Sequence, residues 1–436
     1  MNVHIYRSEE NYDFSFIDVR PGEWVVLKPN LVKEAKENDP DEWESVVTSP
    51  RIIERVCAHV CSRLQGRGRV TICDAPQTDS SFAAIAARLD LYGIARRCEE
   101  SYGVPVEVID LRNEEWVSER GVISGRRKLA GDPKGVIAFD LGRDSLFYCH
   151  PGEGRYYGAD YDHATVNRHH RGETHEYLVC ATPIHADVFV NLPKLKTHKK
   201  TGVTLNLKNL VGINADKNWL PHHTEGAPGN GGDQFPDLGM RQRLEQKAVE
   251  LARFFAGKVP VLGAGVAQTL RRSGTVVFGD GGSVVRSGNW HGNDTTWRMA
   301  LDLNRCLLYG NPDGSLRGGR PKRCYCLIDG IVGMEGAGPM QGDAVRSGVV
   351  IGGTDPAVAD AVAARVMGFD WRKIPVIREA FEVSRLPVTT ARPEDVRVIS
   401  DVPAWNGTFG EIIDRDFLKF KPHFGWSGHI EYDKRD

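Results

Sequence analysis

Residues 191–212 read NLPKLKTHKKTGVTLNLKNLVG and hold five lysines, one histidine and three asparagines with no Asp or Glu among them. Lys194, Lys196 and His198 alternate, so an extended chain would carry all three to one side. Asn206, Lys208 and Asn209 follow, with Thr201 and Thr204 as further short polar groups. Converging ammonium groups and amides suit a carboxylate or a phosphate. A lysine-rich stretch is ordinarily a solvated loop. Here the interleaved Leu192, Leu195, Leu205, Leu207 and Leu210 argue for a half-buried site instead. His198, beside Lys196, Lys199 and Lys200, should be neutral at pH 7, able to transfer a proton or to bind a metal.

Three other segments share this chemistry. Lys28 and Asn30 lie in LKPNLV, Asp74 in ICDAPQTDSS, and Asp329 and Glu335 in LIDGIVGMEGAGPMQGD. Each follows an apolar run that reads as a strand, and ligands of parallel α/β sheets bind beyond the C-terminal strand edges. The expected roles are catalysis for His198, Asp329 and Glu335. Substrate binding falls to Lys28, Asn30, Asp74, Lys194, Lys196, Asn206, Lys208 and Asn209. The cofactor stays open, with a divalent metal at His198 as one candidate. The glycines from Gly333 to Gly342 do not form the G-x-x-x-x-G-K-[ST] phosphate loop. The other histidines, His163, His169, His170, His175, His222 and His223, lack a diagnostic metal spacing and read as polar loop residues.

The elements that must position these groups alternate. A strand at Trp24–Leu27, a helix over 49–64, a strand ending at Asp74, a helix capped by Ser80 or Ser81 and a strand in VPVEVIDL form a β-α-β-α-β run. A strand at Val188–Leu192 resumes the pattern after residues 112–175, which are rich in Gly, Arg, Tyr and His. MRQRLEQKAVELARFF reads as a helix, as does NDTTWRMALDLNRCLLYG with Asp294 as its cap. RCYCLIDG and SGVVIGG read as strands, and Asp355 caps a small-residue helix. Within that helix Asp360 needs a partner. The expected fold is a two-lobed α/β protein with parallel or mixed sheets flanked by helices and an inserted β-rich or irregular segment. The boundaries are 1–111, 112–175, 176–370 and a C-terminal extension, 371–436.

Composition restricts the partners. A net charge of −2 over 436 residues argues against a nucleic-acid binder, and a local cationic site fits a small anionic ligand. No apolar run is long enough to span a membrane, and the N-terminus carries no signal-peptide pattern. Nine scattered cysteines suggest a reducing cytoplasm. Cys57 reads as core, Cys61 as a border position, and Cys324 and Cys326 as neighbours on one side of a strand. No C-x-x-C run marks a ferredoxin-type cluster. Oligomeric state is not encoded legibly.

VVLKPNLV, the lysine-rich stretch and DGIVGMEGAGPMQGDAVRSGVVIGGTDPAVADAVAARVMGFD together resemble the domain-of-unknown-function 362 family, from about Val25 to Phe369. Some members add an iron–sulfur ferredoxin module, whose clustered cysteines this sequence does not show. His198, Gly202 and Lys208 are also similar in arrangement to the histidine and cofactor-attaching lysine of nickel-pincer lactate racemases. Leu205, Asn206 and Leu207 stand where those enzymes would have glycines. NWHGNDTTWRMALDLNR resembles a subgroup associated with bacterial surface-polysaccharide gene clusters. The expectation is an enzyme acting on a small carboxylate or phosphorylated, sugar-like metabolite by acid–base or metal-assisted chemistry. A non-catalytic metabolite-binding protein and a metal- or cluster-dependent redox protein are the alternatives.

Overall fold

The computed structural model describes residues 1–7, 11–36, 39–119, 122–158, 163–237, 285–319 and 321–433. The helix expected at 240–255 lies outside them.

One twelve-stranded sheet organises the chain. Its strands are β1 (Asn2–Tyr6), β2 (Trp24–Pro29), β3 (Arg69–Asp74), β4 (Val106–Asp110), β5 (Val188–Leu192), β6 (Lys194–His198), β7 (Gly202–Val203), β8 (Arg323–Glu335), β9 (Asp343–Val345), β10 (Val349–Gly353), β11 (Arg397–Ser400) and β12 (Gly407–Thr408). The spatial order is β12-β11-β1-β10-β8-β5-β2-β3-β4, with β6, β7 and β9 joined at the end of β8. From β8 to β4 every neighbouring pair is parallel. The edge at β10 is antiparallel, so the sheet is mixed, and the expected α/β architecture is the one observed. The lobes anticipated from chain length share this sheet, and two apolar clusters pack on it.

The chain runs outward from β2 through β3 to β4, then returns to the other side of β2 for β5 and continues to β8. Strand order therefore reverses between β2 and β5. This is the switch point, where connections leave in opposite directions; in open α/β sheets ligands bind beyond the C-terminal strand ends at such a point. Lys28 and Asn30 stand at the end of one flanking strand, and Asn191 and Lys194 at the end of the other.

Helix α1 (Pro50–Leu64) forms because Ile52, Ile53, Val56, Cys57, Val60, Cys61 and Leu64 line one face, all of them buried. Each such side chain contributes about 1.5–3 kcal/mol on full burial, so a charge at Val56 or Val60 would undo the packing. Cys61 is thus core rather than border. Its thiol is grouped with those of Cys57 and Cys98. The second expected helix is two, α2 (Phe82–Arg88) and α3 (Leu91–Tyr102), separated where Asp90 takes φ +52°. Ser81 is the cap of α2, its Oγ accepting the Ala84 N–H at 3.2 Å.

Residues 112–175 are β-rich where described. A hairpin joins Glu114–Glu119 to Val122–Lys128, and Val136–Asp140 pairs with Thr174–Cys180. The C-terminal residues supply β11 and β12 to the sheet edge, beside β1. Among the described residues no helix is long and apolar enough to cross a membrane.

Candidate functional site

Pro193 interrupts the ladder after β5, but the chain stays extended as β6. Lys194 then faces Asp329 and Lys196 faces Met334 across β8, which runs on to Glu335 rather than ending at the glycine after Asp329. Lys194 Nζ meets Asp329 Oδ2 at 2.8 Å, with both side chains buried. Asp329 also accepts the Ser49 N–H at 2.6 Å and the Ile331 N–H at 3.0 Å. A second buried pair joins the ends of β2 and β3, Lys28 Nζ to Asp74 Oδ1 at 2.7 Å. Asp74 Oδ2 accepts the Leu31 N–H at 2.7 Å. In a low-dielectric interior each ammonium is tolerated because a carboxylate and further hydrogen bonds surround it.

Among the described residues Lys196, Lys200 and Lys208 form no ion pair. Lys196 is fully buried and gives hydrogen bonds to two carbonyls, Val46 O at 2.9 Å and Pro339 O at 3.3 Å. Burial, with Lys194, Lys208 and Lys28 nearby, pushes its pKa well below the lysine range. Lys208, 7% exposed, makes no hydrogen bond or ion pair among the described residues. Burial, then the charges of Lys217 and Lys28, lowers its pKa to about 7. Burial and Lys199 lower Lys200 to about 7, and its Nζ lies 3.3 Å from His222 O and 3.2 Å from His223 Nδ1. The site therefore holds more cations than anions.

Lys208 rides on a five-residue helix, α4 (Leu205–Asn209), which opens on Leu205 at φ +38°. A branched side chain rarely adopts that conformation. The partner that holds it is Asp360, within α5 (Pro356–Val366). Its Oδ1 accepts the Asn206 N–H at 2.9 Å and Asn206 Nδ2 at 2.8 Å, while Oδ2 accepts the Leu207 N–H at 2.9 Å. Burial raises the Asp360 pKa to about 7 against these donors. Asp355 is the cap of the same helix, accepting from Ala357 and Val358.

Four asparagines tie α4 to the strands. Asn191 Nδ2 donates to Asn206 O at 3.0 Å, Asn209 Nδ2 to Asn191 Oδ1 at 2.7 Å, and Asn30 Nδ2 to Asn209 Oδ1 at 2.9 Å. Asn30, Asn206 and Asn209 were expected at the site; Asn191 was not singled out, because its alternation within β5 reads as strand.

His198 is buried, and its Nδ1 accepts the backbone N–H groups of Lys200 at 3.0 Å and Thr201 at 3.3 Å. This geometry assigns the neutral ring's proton to Nε2. Burial, then Lys208 and Lys199, pushes the imidazole pKa well below its usual value. His222 has the opposite tautomer, since its Nδ1 lies 2.9 Å from Leu220 O, which can only accept. Burial and the charges of Lys208 and Lys200 depress its pKa as well. The His222 carbonyl is held by Asn293 Nδ2 at 3.2 Å and Thr296 Oγ1 at 2.5 Å, so the NWHGNDTTW segment positions this histidine. Asn293 Oδ1, rather than Asp294, accepts the N–H groups at the start of the helix Thr296–Tyr309, at 2.8 Å from Thr296. Asp294 instead pairs with Arg298 at 3.0 Å.

Glu335 is the expected site residue whose carboxylate points elsewhere. Its Oε2 accepts the Lys421 N–H at 2.9 Å, and Lys421 Nζ lies 3.5 Å from Oε1. Among the described residues no group of three or more His, Cys, Asp or Glu is placed to hold a metal ion. Two surface cavities, of about 340 Å³ beside His291 and Trp297 and about 550 Å³ beside Asn167 and Arg168, contain none of the clustered lysines.

The family described as Domain of unknown function (DUF362) matches residues 25–131 and 153–365. The chain belongs to the DUF362 family. All of β5, β2 from Val25 onward and Asp360 lie inside the stretches matched to DUF362, as do Lys28, Lys194, Lys196 and Lys208. Lys421, the partner of Glu335, lies beyond them. No curated protein and no solved structure matches this DUF362 chain.

Proposed function

We propose that this DUF362 protein is an enzyme that binds a small carboxylate or phosphate at the switch point and moves protons on it. The observation that carries the reading is Lys208, an ammonium nine-tenths buried with no anionic partner among the described residues. An unpaired buried cation is expensive, and an anionic ligand offsets that expense. Lys28 and Lys194, already neutralised by Asp74 and Asp329, shape the field; Lys208 supplies the contact. The small exposed surfaces of Lys208 and His198 give the ligand its approach.

The two imidazoles supply complementary chemistry. His198 presents an N–H at Nε2, and His222 presents a lone pair at its own Nε2. Both are kept neutral near pH 7 by burial and neighbouring lysines, so one can give a proton and the other take one. Calorimetric titration with a panel of carboxylates and phosphates, on the wild type and Lys208→Met, tests the binding. Wild-type affinity that K208M loses supports the reading; anion binding unchanged in K208M ends it. Solvent-deuterium incorporation into the bound anion, followed by NMR, tests the chemistry. Incorporation should require His198 and vanish in His198→Gln. Tight binding with no exchange would make this DUF362 protein a non-catalytic binder.

A further inference from the structure

The asparagine chain at the switch point has a fixed polarity. A backbone carbonyl can only accept, so the bond from Asn191 Nδ2 to Asn206 O sets which end of the Asn191 amide is nitrogen. Asn191 Oδ1 must then accept from Asn209 Nδ2, and Asn209 Oδ1 from Asn30 Nδ2. Every amide orientation follows from that first bond. What remains at the end is Asn30 Oδ1, a buried acceptor with no hydrogen-bond partner among the described residues. The Asn30 residue is 8% exposed, and such an orphan is uncommon in native interiors.

Asn30 lies two residues past Lys28, whose charge acts on Lys208, and it is bonded to Asn209, the neighbour of Lys208 in sequence. The fixed acceptor and the unpaired ammonium are thus linked through Asn209 and share the neighbourhood of Lys28. Resting on the anion-binding reading above, we propose that Asn30 is the specificity-determining residue and that Asn30 Oδ1 accepts a hydrogen bond from a hydroxyl of the bound anion. The ligand class is a hydroxylated carboxylate or a phosphorylated polyol. An ammonium group could also donate to this oxygen, but Lys208 already brings an unpaired positive charge close to Lys28, and a hydroxyl donates without adding more.

Matched pairs of ligands test this on the full chain by calorimetry: malate against succinate, and glycerol 3-phosphate against propyl phosphate. The hydroxylated member of at least one pair should bind about tenfold tighter, the usual worth of one hydrogen bond to a buried acceptor. In Asn30→Leu that ratio should fall to about one. Should N30L fail to fold by circular dichroism, Asn30→Gln, which displaces the oxygen, replaces it with the same expected loss. Aspartate should bind more weakly than malate. Equal affinities within both pairs, or a ratio that survives in the variant, would overturn the role of Asn30 while leaving anion binding intact. Absence of binding by all four anions would overturn both.

Discussion

Gly212 stands against Lys28 so closely that a methyl group on its Cα would lie 2.6 Å from Lys28 Nζ and 2.0 Å from Asp74 Oδ1. The loop after α4 is therefore fitted to an ion pair, and its carbonyl is used as well, accepting the Ala75 N–H at 2.8 Å. Gly212→Ala should part Lys28 from Asp74 and leave two buried charges without each other. The expected loss is about 3–5 kcal/mol, read by urea denaturation. A variant as stable as the wild type would mean the pair shifts together and does not hold the crevice rigid.

Lys208→Met should raise stability, because it removes a buried charge that has no partner. At pH 7 the gain should be roughly 2–4 kcal/mol. The sign with pH follows from the lowered pKa, about 7 in the fold against the ordinary 10.5. Between those values the unfolded chain binds more protons, so wild-type stability rises with pH there. The gap between K208M and wild type should hold below about pH 7 and close towards pH 10.5. Denaturation curves across that range check it, and a gap that widens instead would place a hidden anionic partner beside Lys208.

Anion affinity should run the other way. Binding needs the ammonium form, and above about pH 7 Lys208 in the ligand-free protein gives up its proton. Affinity should fall by up to tenfold for each further pH unit, with a proton taken up on binding. Calorimetry in two buffers of different ionisation enthalpy reads that proton directly. Heats identical in both at pH 8 would assign the anion to another cation.

Asp360→Ala should release the backbone of α4. Two buried N–H groups and one side-chain amide lose their acceptor, at about 1–3 kcal/mol each, and Leu205 loses what holds it at φ +38°. Hydrogen exchange at Asn206 and Leu207 should become faster than in the surrounding sheet, and anion affinity should drop as Lys208 loses its platform. Protection unchanged at these two amides would show that packing alone fixes the helix.

The strands flanking the crevice were readable because their residues announce themselves locally. Trp24–Leu27 and Val188–Leu192 are apolar runs that end near prolines, and the alternation past Pro193 carried meaning only if the chain stayed extended, which it does as β6. The partners were not readable. Asp360 pairs with amides more than 150 positions away, and nothing beside it in sequence marks it beyond its place among alanines. His222 looked like a loop histidine because its setting comes from Lys200, Asn293 and Thr296, which are distant in sequence. Glu335 shared the glycine-rich signal of Asp329, yet the strand continues past Asp329 to Glu335 and carries it towards Lys421. Alternation tells which side a residue takes; it does not tell what waits there.

The one-way asparagine chain makes specificity something that can be altered from a distance. Asn191 and Asn209 need not touch a ligand to govern what it meets. Replacing Asn191 with a leucine would remove both the anchoring donor and the oxygen to which Asn209 Nδ2 donates, and the amides beyond it could then turn over. Asn30 could present nitrogen where oxygen now stands, so that a crevice selective for hydroxyl groups would come to favour acceptors. Two such proteins could share every ligand-facing residue and still differ in preference, the difference being written inside β5.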